Sequence, residues 1–250
     1  MSSQPVRSLR RERRAAAIAR RRAEPRATRG PRRMGIGFVS LVALAAGVLL
    51  VGAIIVLGAA PKPVAGVVVR ALAPAGIPAA GYILGNATAP VTIDLYEDFQ
   101  CPACERWGTS VAPSLVRNEL AAGTVRIVFH SFAFIGPESK DAGRAAWAAE
   151  QQGRFWDMWS TLYANQGVHE NGGAFDRARL IAMADVLGLD TVRFAADLDS
   201  PAADAFVANG IADAARAGVT STPTLMIDGQ ALTGAGYAEV AAAIAASVAP

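Results

Sequence analysis

Apolar positions recur along this chain at three spacings, and the order in which the spacings change divides it. From Met34 to Ala60, 27 residues carry no charge and are rich in Val, Leu, Ile, Ala and Gly. A helix rising about 1.5 Å per residue crosses a hydrocarbon layer of about 30 Å within that length. One transmembrane helix is therefore predicted over residues 34–60. From Pro61 to about Gly81 the chain is rich in Pro, Ala and Gly, with Val67-Val68-Val69 as its apolar cluster. This stretch reads as a semi-flexible linker. Folded sequence is expected from residue 82 to residue 250.

Val91 to Tyr96 is β-rich and mostly apolar, the pattern of a central buried strand. A helical run follows from Cys104 to about Ala122, with Gly123 as its terminator and a kink expected at Pro113. Thr124 to His130 alternates again as a second strand, so strand, helix and strand make a parallel βαβ unit. From about 138 to 217 the spacing is helical throughout. Phe155, Trp156, Trp159, Leu162 and Tyr163 form its strongest stripe, and aromatics at that spacing are read as core. Asp176, Asp190 and Ser200-Pro201 are helix-start signals. After Gly218 the period returns to strands, with Asp228-Gly229 as a hairpin turn, and a last helix carries Tyr237, Val240, Ile244 and Val248 on one face.

Charge changes the picture at the N-terminus. Residues 1–33 hold twelve arginines against Glu12 and Glu24, a basic tail of net +10, so a chain of net +3 carries −7 after it. The basic balance belongs to the tail, and nucleic-acid binding does not follow from it. Arginines on the N-terminal side of the apolar run predict a cytoplasmic N-terminus and a C-terminal part outside the cytoplasm, with one pass through the plasma membrane. A cleaved signal peptide, with Gly58-Ala59-Ala60 at the cut, is the alternative; its apolar run would exceed the usual length of about 7–15 residues.

The chemistry concentrates in two cysteines, Cys101 and Cys104, the only ones in 250 residues. They fall where the first strand gives way to the first helix. With Cys101 at the N-cap and Pro102 at the first helical position, unpaired N–H groups and the helix dipole favour a thiolate at Cys101. Cys104, one turn further in, is the less exposed partner. A structural disulfide over so short a loop would stabilise little. A metal centre would need more ligands than His130 and His169, which stand apart from the pair, and His169 reads as a solvated loop residue. A redox-active disulfide needing no cofactor is the expectation, and outside the cytoplasm no glutathione pool would keep it reduced.

A cysteine pair after the first strand of βαβ, then ββα with a proline just before the third strand, resembles the thioredoxin fold. The helical block between the halves makes it similar to the DsbA-like thiol-disulfide oxidoreductases. The stretches that carry the resemblance are Leu84–Ile93, Asp98-Phe99-Gln100-Cys101-Pro102-Ala103-Cys104, Gln151–Trp156, Leu187–Asp190 and Gly218–Thr224. It implies an α/β thioredoxin-like fold over residues 82–250 with an all-helical insertion at about 138–217, preceded here by one transmembrane helix.

The resemblance also implies roles. Cys101 would be the attacking cysteine, Cys104 the resolving one and Pro223 a cis proline opposite them, with Thr222 and Pro102 meeting the bound peptide. Substrates would be exported or cell-envelope proteins with free thiols. The reoxidant would be a membrane quinone-linked protein of the DsbB or vitamin-K-epoxide-reductase type, and the protein a monomer held to membrane lipid. Two positions depart from the family. The buried acid six residues before the first cysteine is replaced by Leu95, which leaves Glu97 as a substitute against the plainer expectation of a solvated strand-end carboxylate. Ala103 stands where strongly oxidising members have histidine, which weakens the thiolate and leaves two other readings: a reductase or isomerase, and a non-catalytic peptide-binding module.

Overall fold

The computed structural model describes residues 66–70, 72 and 76–249. The basic tail and the expected anchor lie outside them, and among the described residues no helix is long and apolar enough to cross a membrane. Six strands form one sheet in the order β1-β2-β4-β3-β5-β6. They are β1 (Ala79–Ala80), β2 (Ile83–Gly85), β3 (Val91–Glu97), β4 (Val125–Ser131), β5 (Thr224–Ile227) and β6 (Gln230–Thr233). β3 lies parallel to β4 and antiparallel to β5, so it is flanked on both sides. Val91, Ile93 and Leu95 are buried along it, as the apolar run requires. β5 and β6 turn through Asp228 (φ 49°) and Gly229 (φ 77°), the left-handed pair that an Asp-Gly hairpin uses.

The first helix, α1, starts at Pro102 and not at Cys104. It is α-helical over Pro102–Arg106 and Ala112–Leu115 and widens into π turns over Trp107–Val111 and Val116–Leu120. Pro113 lacks an N–H and its ring crowds the carbonyl one turn back; the wider turn ahead of it takes up that misfit where a kink was expected. Five helices fill the insertion: α2 (Pro137–Glu150), α3 (Phe155–Ala164), α4 (Arg177–Val186), α5 (Thr191–Leu198) and α6 (Pro201–Arg216). Asp176, Asp190 and Ser200 cap α4, α5 and α6 through their side-chain oxygens. α7 (Tyr237–Ser247) closes the fold with Val240 and Ile244 buried.

The sheet begins earlier than the alternation in the sequence suggests. β1 and β2 pair antiparallel, and β2 pairs with β4. Strands of two and three residues are too short to display a period. The segment read as a linker is also held in part. The Asn165 amide accepts from the Val68 N–H at 2.9 Å and donates to the Val68 carbonyl at 2.7 Å, offering one donor and one acceptor side by side as a strand edge would. The Ser160 hydroxyl donates to the Arg70 carbonyl.

Candidate active site

The end of β3 delivers four residues in succession to the site: Glu97, Asp98, Phe99 and Gln100, all buried. A turn closed by the Cys101 N–H on the Asp98 carbonyl (3.0 Å) brings the chain to Cys101, the N-cap of α1, with extended backbone and Pro102 at the first helical position. The N–H groups of Ala103 and Cys104 therefore face the Cys101 sulfur, as the sequence predicts. The two thiols are unlinked.

The two sulfurs differ in environment. Cys101 has its thiol pushed down to about 5, foremost by the Cys104 thiol donating to it, with the Cys104 and Ala103 N–H groups adding to this against the cost of burial. Cys104 is fully buried, and burial, then the Cys101 sulfur and the Glu97 carboxylate, push its thiol well up. One cysteine is thus a ready leaving group and nucleophile, and the other keeps its proton.

Across from α1 the Thr222–Pro223 peptide bond is cis, and the Cys101 Sγ lies 3.4 Å from the Thr222 carbonyl as a donor. Tyr96 pairs with Thr224 in the β3–β5 register, which is why the residues just before β5 arrive beside the residues just after β3. The Thr222 hydroxyl is buried without a hydrogen-bond partner among the described residues. Pro102 is exposed at the start of α1. Cys101, Cys104, Thr222, Pro223 and Pro102 are therefore brought together; His169 is exposed in the loop after α3 and His130 pairs with Asp94 at 2.9 Å on β3 and β4.

Glu97 overturns the expectation of a solvated carboxylate. It is wholly buried, its Oε2 accepts from the Trp159 indole N–H at 2.9 Å, and its Oε1 has no hydrogen-bond partner among the described residues. Burial pushes its carboxyl up to about 8, against the pull of the hydrogen bond from Trp159. The reason lies in the strand period: Leu95 and Glu97 are two residues apart on β3 and share a face, so the acid missing at Leu95 is supplied one pleat further on. That alternation was available in the sequence.

Asp98 was not singled out there. It is buried and accepts from four donors: the Gln100 N–H (2.8 Å), the Ser139 hydroxyl (2.6 Å), and the N–H groups of Phe134 (2.9 Å) and Ile135 (3.0 Å). It ties the cysteine turn to the loop after β4 and to α2. Gln100 extends the tie to Asn171 through its side-chain amide, and the Gln166 amide donates to the Phe99 (2.7 Å) and Cys101 (3.1 Å) carbonyls. None of these long-range partners has a signature in local sequence.

A family model described as thioredoxin matches residues 79–246. A probable disulfide bond formation protein D from Bacillus cereus is 38% identical over 86 residues, 33% of this chain and 39% of that protein. The Na(+)/H(+) antiporter NhaA of Herminiimonas arsenicoxydans is 34% identical over 171 residues, 67% of this chain and 25% of the antiporter. The chain thus spans well under half the length of these curated relatives. Among solved structures, BdbD from Bacillus subtilis in its oxidised form superposes with a TM-score of 0.63 at 22% identity, covering 70% of this chain and 97% of that one. A family match running from β1 to α7, on a cysteine turn set between β3 and α1 and a helical insertion between the two halves, makes this chain a member of the thioredoxin family, in its DsbA-like group.

Proposed function

We propose that the protein is a membrane-anchored thiol-disulfide oxidoreductase, working outside the cytoplasm, that oxidises cysteines of exported proteins through a Cys101–Cys104 disulfide. The observation that carries the reading is the contrast between the two sulfurs: Cys101 pushed down to about 5 and Cys104 pushed well up. A stabilised Cys101 thiolate favours the reduced protein, and a protein stable when reduced is an oxidant towards others. A value of about 5 falls between the roughly 3.5 of DsbA and the roughly 7 of thioredoxin, so loss of the histidine at Ala103 leaves an oxidant of intermediate strength.

The steps follow from the site. A substrate thiolate attacks the Cys101 sulfur of the disulfide; the S–S bond breaks, Cys104 leaves with the electron pair, and a substrate–Cys101 mixed disulfide forms. Cys104 is buried and holds a proton strongly, so it takes one as it leaves. Glu97 is neutral below about pH 8 and is the buried acid that supplies it. A second substrate thiolate then attacks the substrate sulfur of the mixed disulfide, and Cys101 departs as a thiolate. The substrate loses two electrons as its disulfide forms, and the protein gains them as a Cys101 thiolate and a Cys104 thiol; of the two protons the substrate thiols release, one restores Glu97. The exposed Pro102 and the Thr222 backbone line the approach to Cys101. A membrane quinone-linked partner of the DsbB or vitamin-K-epoxide-reductase type would take the electrons onward.

The charge-free run at 34–60 with twelve arginines before it supports the anchor and its orientation. The test is direct. The full chain, preoxidised, converts a reduced dithiol peptide to its disulfide, and Cys101→Ser abolishes this; reduced Cys104→Ala, mixed with the disulfide form of the peptide, accumulates a mixed disulfide on Cys101 as the Cys101 thiolate displaces one peptide sulfur. Turnover retained by Cys101→Ser would refute the reading.

A further inference from the structure

Glu97 keeps its place through a single indole. Trp159 on α3 reaches across to Glu97 on β3 with its N–H at 2.9 Å from Oε2, in a site from which water is excluded on both sides: Glu97 is 0% and Trp159 1% exposed. The benzo edge of the indole meets the first π turn of α1, where residue 108 is glycine. A β-carbon there would stand 2.9 Å from Trp159 Cη2 and 3.3 Å from Tyr163 Cδ2, closer than carbon atoms approach without displacement. The missing side chain is what admits the ring. β3, α3 and α1 thus meet around this one bond, and the other oxygen, Oε1, has no hydrogen-bond partner among the described residues.

A neighbouring tryptophan is a built-in contrast. Trp156, one turn earlier on α3, is also buried, but its indole N–H has no hydrogen-bond partner among the described residues. Bulk and apolarity are common to both rings; only Trp159 has its polar handle on the acid.

We propose that Trp159 is a positioning residue of the redox reaction: its N–H, admitted by Gly108, fixes the Glu97 carboxyl so that the acid trades a proton with Cys104. The proposal rests on the exchange mechanism above. The groups that face the carboxyl are Trp159 and Tyr163 from α3, Cys101 and Cys104 from the cysteine turn and α1, and Asp98 beside it on the chain; Ser131 stands opposite in the β4 register. Of these, Trp159 donates to the carboxyl and so favours its ionised form, the Tyr163 hydroxyl donates to the Asp98 carbonyl at 3.5 Å, and the Cys101 sulfur opposes ionisation. Removing the indole donor therefore makes ionisation harder, and a hydrogen bond to a buried charge is strong enough to move the midpoint upward by about one pH unit.

Two measurements separate this from the functional reading. The first is the carboxyl titration of Glu97, followed by the shift of labelled glutamate side-chain carbon in the full chain with Cys101→Ser and Cys104→Ser, and identified by its loss in Glu97→Gln. Trp159→Phe should raise the midpoint by about one unit and Trp156→Phe should leave it in place; Gly108→Ala, which keeps the indole but displaces it, should move it the same way and serves if Trp159→Phe does not fold. The second is the pH profile of dithiol oxidation with both cysteines present, whose alkaline limb should shift by the same amount in Trp159→Phe and not in Trp156→Phe. An unmoved titration in Trp159→Phe overturns the proposal. A moved titration with an unmoved rate profile overturns its link to the reaction. Absence of any exchange by the unmutated chain would instead overturn the functional reading, and would do so while the titration stood.

Discussion

Glu97 and Asp98 are adjacent, both acidic and both buried, yet the chain treats them in opposite ways. Asp98 sits at the end of β3 among four donors from three parts of the chain. Glu97 has the indole of Trp159 on one oxygen and no hydrogen-bond partner among the described residues on the other. A carboxyl group surrounded by donors from several parts of the chain acts as a structural staple. A carboxyl with too few partners is more comfortable neutral, and so holds a proton it can give away. Burial alone does not assign a role to an acid; the count of its partners does.

Substitution at each acid should break the comparison in a different direction. Asp98→Ala strands the N–H groups of Gln100, Phe134 and Ile135 together with the Ser139 hydroxyl, and should cost about 3–5 kcal/mol in chemical denaturation, with loss of the redox site following from loss of the turn. Glu97→Gln should do the reverse. It should slow dithiol oxidation roughly 10–100-fold, because the proton for Cys104 must come from elsewhere, while making the protein more stable at alkaline pH.

The sign follows from the acid's shift. Glu97 has a folded value near 8, above its ordinary 4.5, so its contribution to stability is fully present below 4.5 and is lost as pH rises through about 8. Across that window the loss is at most about 1.4 kcal/mol per pH unit, and Glu97→Gln should flatten it. Thermal unfolding from pH 5 to pH 9 in the Cys101→Ser, Cys104→Ser background checks this without interference from the thiols. A Glu97→Gln variant as steep with pH as its parent would erase the distinction between the two acids.

The smallest effect is expected at Gln166, whose amide bridges the Phe99 and Cys101 carbonyls at the base of the turn. Both carbonyls belong to the stretch that Asp98 already fixes, so Gln166→Ala should cost about 1 kcal/mol and leave the dithiol oxidation rate within a few-fold. A loss as large as that of Asp98→Ala would mean that the turn is held from α3 and not from Asp98.

Much of this was legible in the sequence where the signal is local. Period and caps give β3, β4, the insertion helices and the hairpin, because each is written in residues a few positions apart. The cysteine turn is legible for the same reason: Cys101, Pro102 and Cys104 define a helix start by themselves. Pro223 became legible only through resemblance, since its nearness to Cys101 depends on β5 lying beside β3. Glu97 lay in between. Strand alternation places it on the face of Leu95, but nothing local says that Trp159 waits there. The stripe that contains Trp159 reads as core, which it is, and its one polar atom was hidden by that reading. Asp98, Gln100 and Gln166 were illegible because their partners lie far along the chain and come together only when the insertion packs on the turn.

The direction in which the cysteine pair exchanges electrons is measured by the equilibrium potential of the Cys101–Cys104 couple in the full chain against glutathione. With Cys101 held near 5, the predicted value lies between the roughly −270 mV of thioredoxin and the roughly −120 mV of DsbA, on the less negative side of about −200 mV. A value at or below about −270 mV would make the protein a reductant and contradict the oxidase reading.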